Sequence, residues 1–498
     1  MKPLNLYTLT RFVVLDKFAF FEKQLSERSS PLKVKEHEIS CLRSFVDSLS
    51  PFDASLNIFD GFFYSFEIPQ IGKEFDLMRI SRDLIVNIEL KSQNVPEHRI
   101  KQQLLKNKYY LSHLSRDVSL FTYIKSAQTL LRLTMDGELV KANLYELFCV
   151  LANQKPLFKD DIESLFKVSD YLVSPLNTPE KFLAKDYFLT TQQDEFKKQI
   201  LDVVDTATDF QFIALTGGPG TGKTLLLYDL AVHCSTMGKC CLIHCGILSD
   251  GHEILRQKLD NVDIIVAKQV NFLLDFSKYK FVFLDESHRI YINQFQEVVE
   301  RTKEHGAITV FSYDSRQILS KKEDYAAISN HIEALPNLTK LKLSSKIRTN
   351  RELASFIRRL MNLKSTDVLP HYPSVTISYA NGSSEALALL SYFKSKGFTF
   401  IHYTKSNYYA ASLDVYCGDY NTHRVIGQEF DNVVMIMDDT FQYDAQGKLQ
   451  AKAHPNPNYL YRQLLFQGLT RVREKLALIV VDDEALFEKI LSILQENT

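Results

Sequence analysis

The arrangement of apolar stretches along the chain changes near residue 187. Before that point, an amphipathic helix pattern over 34–49 precedes three strand patterns, a helix that begins at Pro96 and a fourth strand pattern. The four strands are predicted at 62–70, 74–81, 83–92 and 119–124. This α-β-β-β-α-β order predicts a small α/β domain over residues 1–125.

After residue 187, apolar strand patterns alternate with helix patterns. The strands predicted here are 212–217, 240–245, 281–286, 307–314, 400–404, 433–439 and 476–483. Because strands that alternate with helices form parallel sheets covered on both faces, we expect two parallel-sheet α/β domains, over residues 187–338 and 339–498. Residues 126–186 are mostly helical by periodicity and carry turn residues at 174–182, so a helical linker is predicted there.

The composition is that of a globular protein with more than one domain. Of the 498 residues, 45% are hydrophobic and 24% charged, and this length exceeds what one compact core usually takes. The formal net charge of −1 argues against a protein that binds nucleic acid or a membrane through bulk positive charge. The net charge is still compatible with a local basic surface, because residues 340–364 hold eight basic residues and one acidic residue.

The cysteines and the apolar runs favour a cytoplasmic protein. Seven cysteines form no CxxC pair, and stretches such as 239–245 predict buried thiols in a reducing compartment and no metal site. The chain shows no signal-peptide pattern and no run of the ~18 apolar residues that a membrane span needs.

The segment GGPGTGKT at 217–224 matches the phosphate-binding pattern G-x-x-x-x-G-K-[ST] between a predicted strand and a predicted helix. In such a loop, backbone N–H groups surround phosphate oxygens, Lys223 meets the β- and γ-phosphates and Thr224 can ligate Mg²⁺. The candidate nucleotide-binding residues are therefore Gly217, Gly218, Pro219, Gly220, Thr221, Gly222, Lys223 and Thr224.

Asp285 and Glu286 end a buried strand, where one carboxylate can complete the Mg²⁺ shell and the other can polarise a water. Together these residues predict hydrolysis of a nucleoside triphosphate.

Five further segments follow the order of motifs in a superfamily 1 helicase core, which residues 187–498 resemble. The segments are FLTTQQ (188–193), YDSRQ (313–317), KLSSKIRTN (342–350), THRVIGQEFDNVVMI (422–436) and QGLTRVREKLALIVV (467–481). Tyr313 replaces the glycine and Val472 the alanine that are usual in this family. In size the region is similar to the compact cores of Schlafen-type and uncharacterised bacterial helicase domains, which favours translocation over strand separation.

The resemblance implies ATP as the nucleotide and assigns a role to further residues. Gln193 would read the adenine, and Asp314 with Gln317 would couple γ-phosphate sensing to the sheet. Two arginines, Arg348 and Arg471, would contact the γ-phosphate. The implied contacts from the 422–436 segment are Gly427 and Glu429 with the nucleotide and Thr422 and His423 with the nucleic-acid strand.

A second candidate site lies in the amino-terminal domain. Glu89 and Lys91 alternate on one predicted strand, so they share a face that can meet Asp76 on the neighbouring strand. Two carboxylates at such a place can hold Mg²⁺, which activates water, while Lys91 neutralises developing charge. The arrangement and the order of elements resemble the PD-(D/E)XK nuclease family. That resemblance implies roles for Gln103 on the following helix and for an acid on the first helix, either Glu36 or Glu38.

These observations predict a nuclease–helicase fusion that uses ATP and Mg²⁺ and acts on DNA more than on RNA, in anti-phage defence or DNA repair. An RNA-directed enzyme is one alternative, since the motifs do not report the 2′-hydroxyl. A regulatory ATPase whose nuclease-like domain docks a protein partner is another. A homo-oligomer stays open, and no membrane partner is expected.

Overall fold

The computed structural model divides the chain into two compact units, Met1–Tyr171 and Leu172–Thr498. It describes the chain apart from residues 13, 29, 54, 69–70, 158–161, 167–170, 172, 272, 315–316, 318, 321–322, 324–326, 345–350, 367–368, 370, 406–409, 453–458 and 496–498. Across the described part, no helix has both the length and the apolar character to cross a membrane. Both units mix helices with β-sheet.

The first unit is built around one six-stranded sheet of order β1-β2-β3-β4-β5-β6. Its elements are α1 (Leu6–Leu9), α2 (Leu15–Ser26), α3 (Glu36–Leu49), β1 (Phe62–Ile68), β2 (Lys73–Ile80), β3 (Leu84–Lys91), α4 (Glu97–Ser112), β4 (Asp117–Ile124), β5 (Thr129–Leu133), β6 (Leu139–Ala142) and α5 (Leu144–Asn153). Only β3 and β4 pair in parallel, from Leu84↔Asp117 to Lys91↔Ile124, and the other neighbours are antiparallel. The α-β-β-β-α-β order read from the sequence is therefore present from α3 to β4.

Helices cover the central strands. Apolar residues of α3 recur every three or four positions, and this stripe packs with α5 against β3 and β4. Seven of the eight residues of β3 are apolar or buried, as expected for a strand that is covered on both faces. The polar side chains that this strand does bury, Asn87 and Glu89, consequently need partners inside the protein.

The helical linker predicted over 126–186 is wrong in its first part. Residues 129–133 and 139–142 form β5 and β6, an antiparallel hairpin that extends the sheet beyond β4. The strand conformation of this short segment comes from the pairing of β5 with the free edge of β4, a tertiary contact that the local pattern does not reveal. Helical structure follows in α5, and residues up to Tyr171 belong to the first unit.

The second unit contains a six-stranded parallel sheet of order β12-β7-β11-β10-β8-β9. The elements up to β12 are α6 (Pro179–Leu183), α7 (Thr191–Thr206), β7 (Gln211–Gly217), α8 (Lys223–Cys234), β8 (Cys240–His244), α9 (Asp250–Lys258), β9 (Val262–Val266), β10 (Phe281–Asp285), α10 (Ile292–Glu304), β11 (Ile308–Tyr313), α11 (Ile328–Glu333) and β12 (Leu338–Leu343). The predicted border at 338/339 falls inside this sheet, because the whole of β12 pairs with β7.

A second parallel sheet of order β13-β19-β16-β14-β15 follows in the same unit. Its elements are α12 (Arg351–Met361), β13 (Val375–Ala380), α13 (Gly382–Ser395), β14 (Thr399–His402), β15 (Tyr420–Asn421), β16 (Phe430–Met437), β17 (Phe441–Tyr443), β18 (Leu449–Ala451), α14 (Tyr461–Leu469), β19 (Val472–Val481) and α15 (Glu484–Gln495). The strands β17 and β18 form a separate antiparallel hairpin. Parallel sheets flanked by helices agree with the α/β class expected for this part of the chain.

The cysteines are all free thiols, and five of them are buried. Cys417 is exposed and Cys149 half-buried, so burial does not extend to the whole set. Burial raises the pKa of the Cys241 and Cys234 thiols to about 12, which keeps these groups in the unreactive thiol form.

Gly251 on α9 offers a test of the packing in the second unit. A Cβ at this position would lie 2.0 Å from the backbone oxygen of Leu176. Alanine normally stabilises a helix by about 1 kcal/mol over glycine. Because a backbone carbonyl cannot rotate away, we expect Gly251→Ala to lower the free energy of unfolding by about 1 to 3 kcal/mol instead, measured by urea denaturation. Gln257→Ala, at an exposed position of α9, is the control and should stay within about 0.5 kcal/mol of the parent. A stabilised Gly251→Ala variant would contradict this packing.

Candidate functional site

The loop between β7 and α8 has a backbone that requires glycine. Gly220 and Gly222 adopt φ angles of 75° and 79°, in the left-handed region that L side chains rarely occupy. At Gly217, a Cβ would lie 2.7 Å from Thr221 Oγ1 and 2.9 Å from the backbone oxygen of Leu343. The glycines thus let the chain turn tightly enough to bring backbone N–H groups to the start of α8, where the helix dipole favours an anion.

Lys223 is held across this loop. Its ammonium donates to the carbonyl oxygens of Gly217 at 2.8 Å and Gly218 at 3.1 Å, and the side chain is almost completely buried. A buried ammonium at a helix amino terminus is suited to bind a phosphate group.

Thr224 and Asp285 meet where β10 ends beside α8. The Thr224 hydroxyl lies 3.4 and 3.5 Å from the two carboxylate oxygens of Asp285, and both side chains are buried. Mg²⁺ binds through oxygen ligands and usually keeps waters and nucleotide phosphates in its shell, so one hydroxyl and one carboxylate fit it. No group of three or more His, Cys, Asp or Glu side chains is arranged for a metal ion within the described parts of the chain. The fit for Mg²⁺ therefore depends on oxygens that a nucleotide and water would contribute.

Glu286 is buried among positive charges. Burial by itself would raise the pKa of this carboxyl, but neighbouring positive groups, among them His288, Lys223 and Arg471, lower it below the usual value. Because burial lowers the pKa of His288 to about 4, that ring is neutral near pH 7, and the positive groups that remain are Lys223, Arg471 and Arg289. Glu286 also has a left-handed backbone with a φ of 54°, a strained conformation that is often retained at functional sites.

His288 connects the end of β10 to the segment that follows β11. The backbone N–H of Asp314 donates to its Nδ1 at 3.4 Å, so the ring proton is on Nε2, which donates to the carbonyl of Gln317 at 3.1 Å. The same Nε2 lies 3.7 Å from Glu286 Oε2. Sequence reasoning missed His288, although its place two residues after the acidic pair was a usable signal.

Gln193 is buried at the start of α7 and is already hydrogen-bonded at both ends of its amide. Oε1 accepts from the N–H of Thr190 at 3.0 Å, and Nε2 donates to the carbonyls of Thr221 at 3.4 Å and Gly222 at 3.2 Å. The amide therefore ties the helix amino terminus to the phosphate-binding loop. Its expected contact with adenine stays a prediction.

The charge of Arg471 is among those that lower the pKa of Glu286, and its expected contact with the γ-phosphate stays a prediction. Its guanidinium donates to the carbonyls of Gln467 and Gln428 at 3.3 and 3.4 Å. Arg348, the other predicted arginine, lies outside the described residues.

The 422–436 segment packs against residues early in the second unit. Gly427 has a φ of 77°, and the Glu429 N–H donates to Asn177 Oδ1 at 3.3 Å. Thr422 is buried and hydrogen-bonded to Thr404, and His423 Nδ1 lies 2.7 Å from the Thr404 hydroxyl. Burial lowers the pKa of His423 to about 3. Thr422 thus has no exposed surface for a nucleic-acid strand here, and the predicted strand contacts stay predictions.

In the first unit, the structure brings Glu89, Lys91 and Gln103 together. Lys91 Nζ lies 3.9 Å from Glu89 Oε2, and the Gln103 amide donates to that same oxygen. Asn107 Nδ2 donates to Glu89 Oε1 at 2.8 Å and to Asn87 Oδ1 at 2.6 Å. Amide donors from α4 therefore compensate a carboxylate that is 1% exposed.

Asp76 lies on β2 beside this group, at the edge of a cavity of about 570 Å³. The pairing of β2 with β3 ends at Leu77↔Ile88, and the Leu90 N–H donates to Asp76 Oδ2 at 2.7 Å. Burial raises the pKa of Asp76 to about 7, and the Glu89 carboxylate adds to this shift. A cation between the two carboxylates would relieve that repulsion, so the pair fits a divalent metal whose shell is completed by water.

The cavity also distinguishes the two candidate acids of α3. Glu38 lines it together with Asp76 and Lys91, whereas Glu36 is exposed on the first turn of the helix and does not. Glu38 therefore has the better position to join this site, and Glu89 is buried behind the cavity wall.

Comparison with known families gives one match. Residues 211–379 match the family model described as Schlafen group 3, DNA/RNA helicase domain. The match includes the phosphate-binding loop, Asp285, Glu286 and the 313–317 segment. It supports a Schlafen-type helicase region in this part of the chain and suggests an ATPase function related to nucleic acid. Among curated proteins, none matches the chain.

The matched region leaves the first unit, residues 172–210 and the residues beyond 379 uncovered. For the first unit, the amide residues Asn87 and Asn107 are the part of the site that sequence reasoning missed. A usable signal was present: Asn107 follows Gln103 by four residues, which places both on one face of α4, and Asn87 precedes Glu89 by two on β3.

The raised pKa of Asp76 predicts a pH-dependent stability. The carboxyl has a pKa of about 7 in the folded chain against an ordinary value of 3.8, so the folded state holds the proton more tightly. Its contribution to the free energy of unfolding is present below about pH 4 and is lost as the pH rises through 7, by roughly 4 kcal/mol at most. We expect Asp76→Asn to flatten this decrease in urea unfolding between pH 5 and pH 8.

Asp83→Asn, which removes an exposed carboxylate before β3, is the control and should keep the parent pH dependence. Added Mg²⁺ should stabilise the parent at pH 8 more than Asp76→Asn. An unchanged pH dependence in Asp76→Asn would contradict the buried, protonated carboxyl.

Proposed function

We propose that the second unit is an ATP-driven nucleic-acid translocase built from two RecA-like domains of the superfamily 1 helicase type. The observation that carries this proposal is the convergence of the phosphate-binding loop, Thr224 and Asp285 at one edge of a parallel sheet. The match to a Schlafen group 3 helicase domain supports the same conclusion and connects the ATPase to nucleic acid.

Different residues of the second unit would bind the phosphates, hold Mg²⁺ and orient the attacking water. Loop N–H groups and Lys223 bind and orient the phosphates, and Thr224 with Asp285 would hold Mg²⁺, which neutralises charge on the phosphate oxygens. Glu286 is kept ionised by the surrounding cations, so it can accept a hydrogen bond from a water and orient it. Arg471, on the turn before β19, would add positive charge where negative charge develops during transfer.

ATP hydrolysis would be coupled to movement along nucleic acid through residues at the carboxyl ends of β10 and β11. His288 contacts both Asp314 and the Gln317 carbonyl, and these residues follow β11 in the first sheet. A change at Glu286 during hydrolysis therefore has a direct route to the 313–317 segment. Arg471 belongs to the segment between α14 and β19, so ATP contacts would draw on both parallel sheets.

We further propose that the first unit is a Mg²⁺-dependent phosphodiesterase of the PD-(D/E)XK type. The supporting observation is that Asp76, Glu89, Lys91 and Gln103 lie together beside a cavity large enough for a nucleotide-sized group. Asp76 and Glu89 would hold the metal, and Lys91 would orient water or neutralise charge on the phosphate. A nuclease carried by a translocase suits degradation of DNA in anti-phage defence or repair, with RNA as the alternative polymer.

The ATPase proposal predicts that Lys223→Ala lowers ATP turnover by at least about 100-fold, because it removes the charge that binds the phosphates. Single-stranded nucleic acid should stimulate the parent enzyme, and the stimulation should weaken steeply as salt rises, since phosphate contacts release counterions. A phosphate-release assay with and without oligonucleotide measures both. Lys268→Ala, at an exposed lysine after β9, is the control. Turnover in the parent that nucleic acid leaves unchanged would favour the regulatory ATPase instead.

The nuclease proposal predicts that Asp76→Asn and Lys91→Ala each abolish Mg²⁺-dependent cleavage, whereas Lys223→Ala retains it. Matched single-stranded, duplex and forked DNA, with RNA of the same sequence, should be incubated with Mg²⁺ in the presence and absence of ATP. Glu36→Gln serves as the control because Glu36 is exposed and does not line the cavity. Cleavage that survives in both Asp76→Asn and Lys91→Ala would rule out this site, and cleavage of RNA alone would replace DNA by RNA as the substrate.

A further inference from the structure

Several buried polar groups without partners lie next to Asp285. Among the residues that the structure describes, both ring nitrogens of His244, Nε2 of His252 and the hydroxyl of Tyr228 have no hydrogen-bond partner. All three side chains are completely buried. An unpaired buried polar group costs about 1 to 3 kcal/mol, so a set of them in one place indicates a role that the fold alone does not explain.

The sheet register places His244 directly beside Asp285. The two residues are partners at the ends of the parallel strands β8 and β10. His244 Nδ1 lies 3.6 Å from Asp285 Oδ2, and the Thr224 hydroxyl lies 3.4 Å from Oδ1. The Asp285 carboxylate is therefore flanked by a hydroxyl on α8 and an imidazole on β8.

The His244 ring is confined from two sides. The ring of His252 lies 4.4 Å away between centroids, and His252 is itself held by Ser249, whose backbone N–H donates to Nδ1 at 3.0 Å. On another side, a Cβ at Gly246 would lie 2.6 Å from His244 Nε2. Glycine at this position lets the backbone close against the ring edge, so the imidazole has little freedom to turn away from Asp285.

We propose that His244 is a positioning residue for Asp285, with its Nδ1–H directed at Oδ2 so that the carboxylate stays turned toward Thr224 and a bound Mg²⁺. Groups that hydrogen-bond to a metal ligand fix its orientation, and their loss typically costs 10- to 100-fold in metal affinity. The separation of 3.6 Å is longer than a hydrogen bond, and contacts of this kind often tighten only when the ligand binds. His252 and Gly246 would keep the ring in place until then.

This inference rests on the proposed ATP site, and its test measures nucleotide binding without turnover. The protein, with both units present, is titrated with a fluorescent ADP analogue once in MgCl₂ and once in EDTA. The variants are His244→Met, which removes the donor, and His244→Gln, which keeps an N–H donor in a chain of similar length. His233→Met, at an exposed histidine near the end of α8, is the control.

We expect His244→Met to lose about 10- to 100-fold of the affinity gained from Mg²⁺ while its affinity in EDTA equals that of the parent. His244→Gln should recover most of the loss, and His233→Met should match the parent. If His244→Met does not fold, His244→Leu, which also lacks an N–H donor, replaces it in the comparison.

Three outcomes would overturn the inference. These are an unchanged effect of Mg²⁺ in His244→Met, an equal loss in His244→Gln, or a loss of the same size in EDTA, which would indicate general damage to the loop. If the parent protein fails to bind the ADP analogue in either medium, the ATP site itself is absent, and that result is distinguishable from the other three.

Discussion

The parallel pairing of β7, β8, β10 and β11 is the constraint on which the second unit depends. Parallel strands point the same way, so all the segments that leave their carboxyl ends emerge at one edge of the sheet. The phosphate-binding loop leaves β7, Asp285 and Glu286 end β10, Asp314 follows β11 and His244 ends β8. Residues that are as much as about 100 positions apart along the chain consequently share one site, and the register decides which side chains touch.

The same edge shows how the protein tolerates buried charge. Glu286 stays ionised because Lys223, Arg471 and Arg289 offset the cost of its burial. Asp76 in the first unit has no such excess of positive charge, and its pKa rises to about 7. Glu89 follows a third course, since amides from Gln103, Asn87 and Asn107 compensate its charge. The contrast between Glu286 and Asp76 shows that neighbouring charge decides whether burial raises the pKa of a carboxyl or leaves it lowered.

Prediction from the sequence was most successful where local pattern and motif agree. The strands β1 to β4, the loop at 217–224 and the strand that ends at Asp285 were all placed by apolar runs flanked by turn residues or glycines. It failed for β5 and β6, since β5 pairs with β4 and β6 pairs with β5, and for the border at 338/339, which falls inside β12, a strand of the first sheet. Gln193 illustrates a further limit, because the motif located the residue while its hydrogen bonds with the loop carbonyls depend on how α7 packs.

The sequence by itself determined the α/β class, the order of the main elements, the glycine-rich pattern at 217–224 and the candidate acidic and basic residues. These features depend on local spacing, on glycine at left-handed positions and on the apolar period of each strand, all of which are written in neighbouring residues. Tertiary structure alone decided that Glu38 lines the cavity with Asp76 while Glu36 does not, that His288 joins Glu286 to the segment after β11, and that His244 lies beside Asp285. The physical reason is that strand register and helix packing set such distances, and both arise from contacts between residues far apart in the chain.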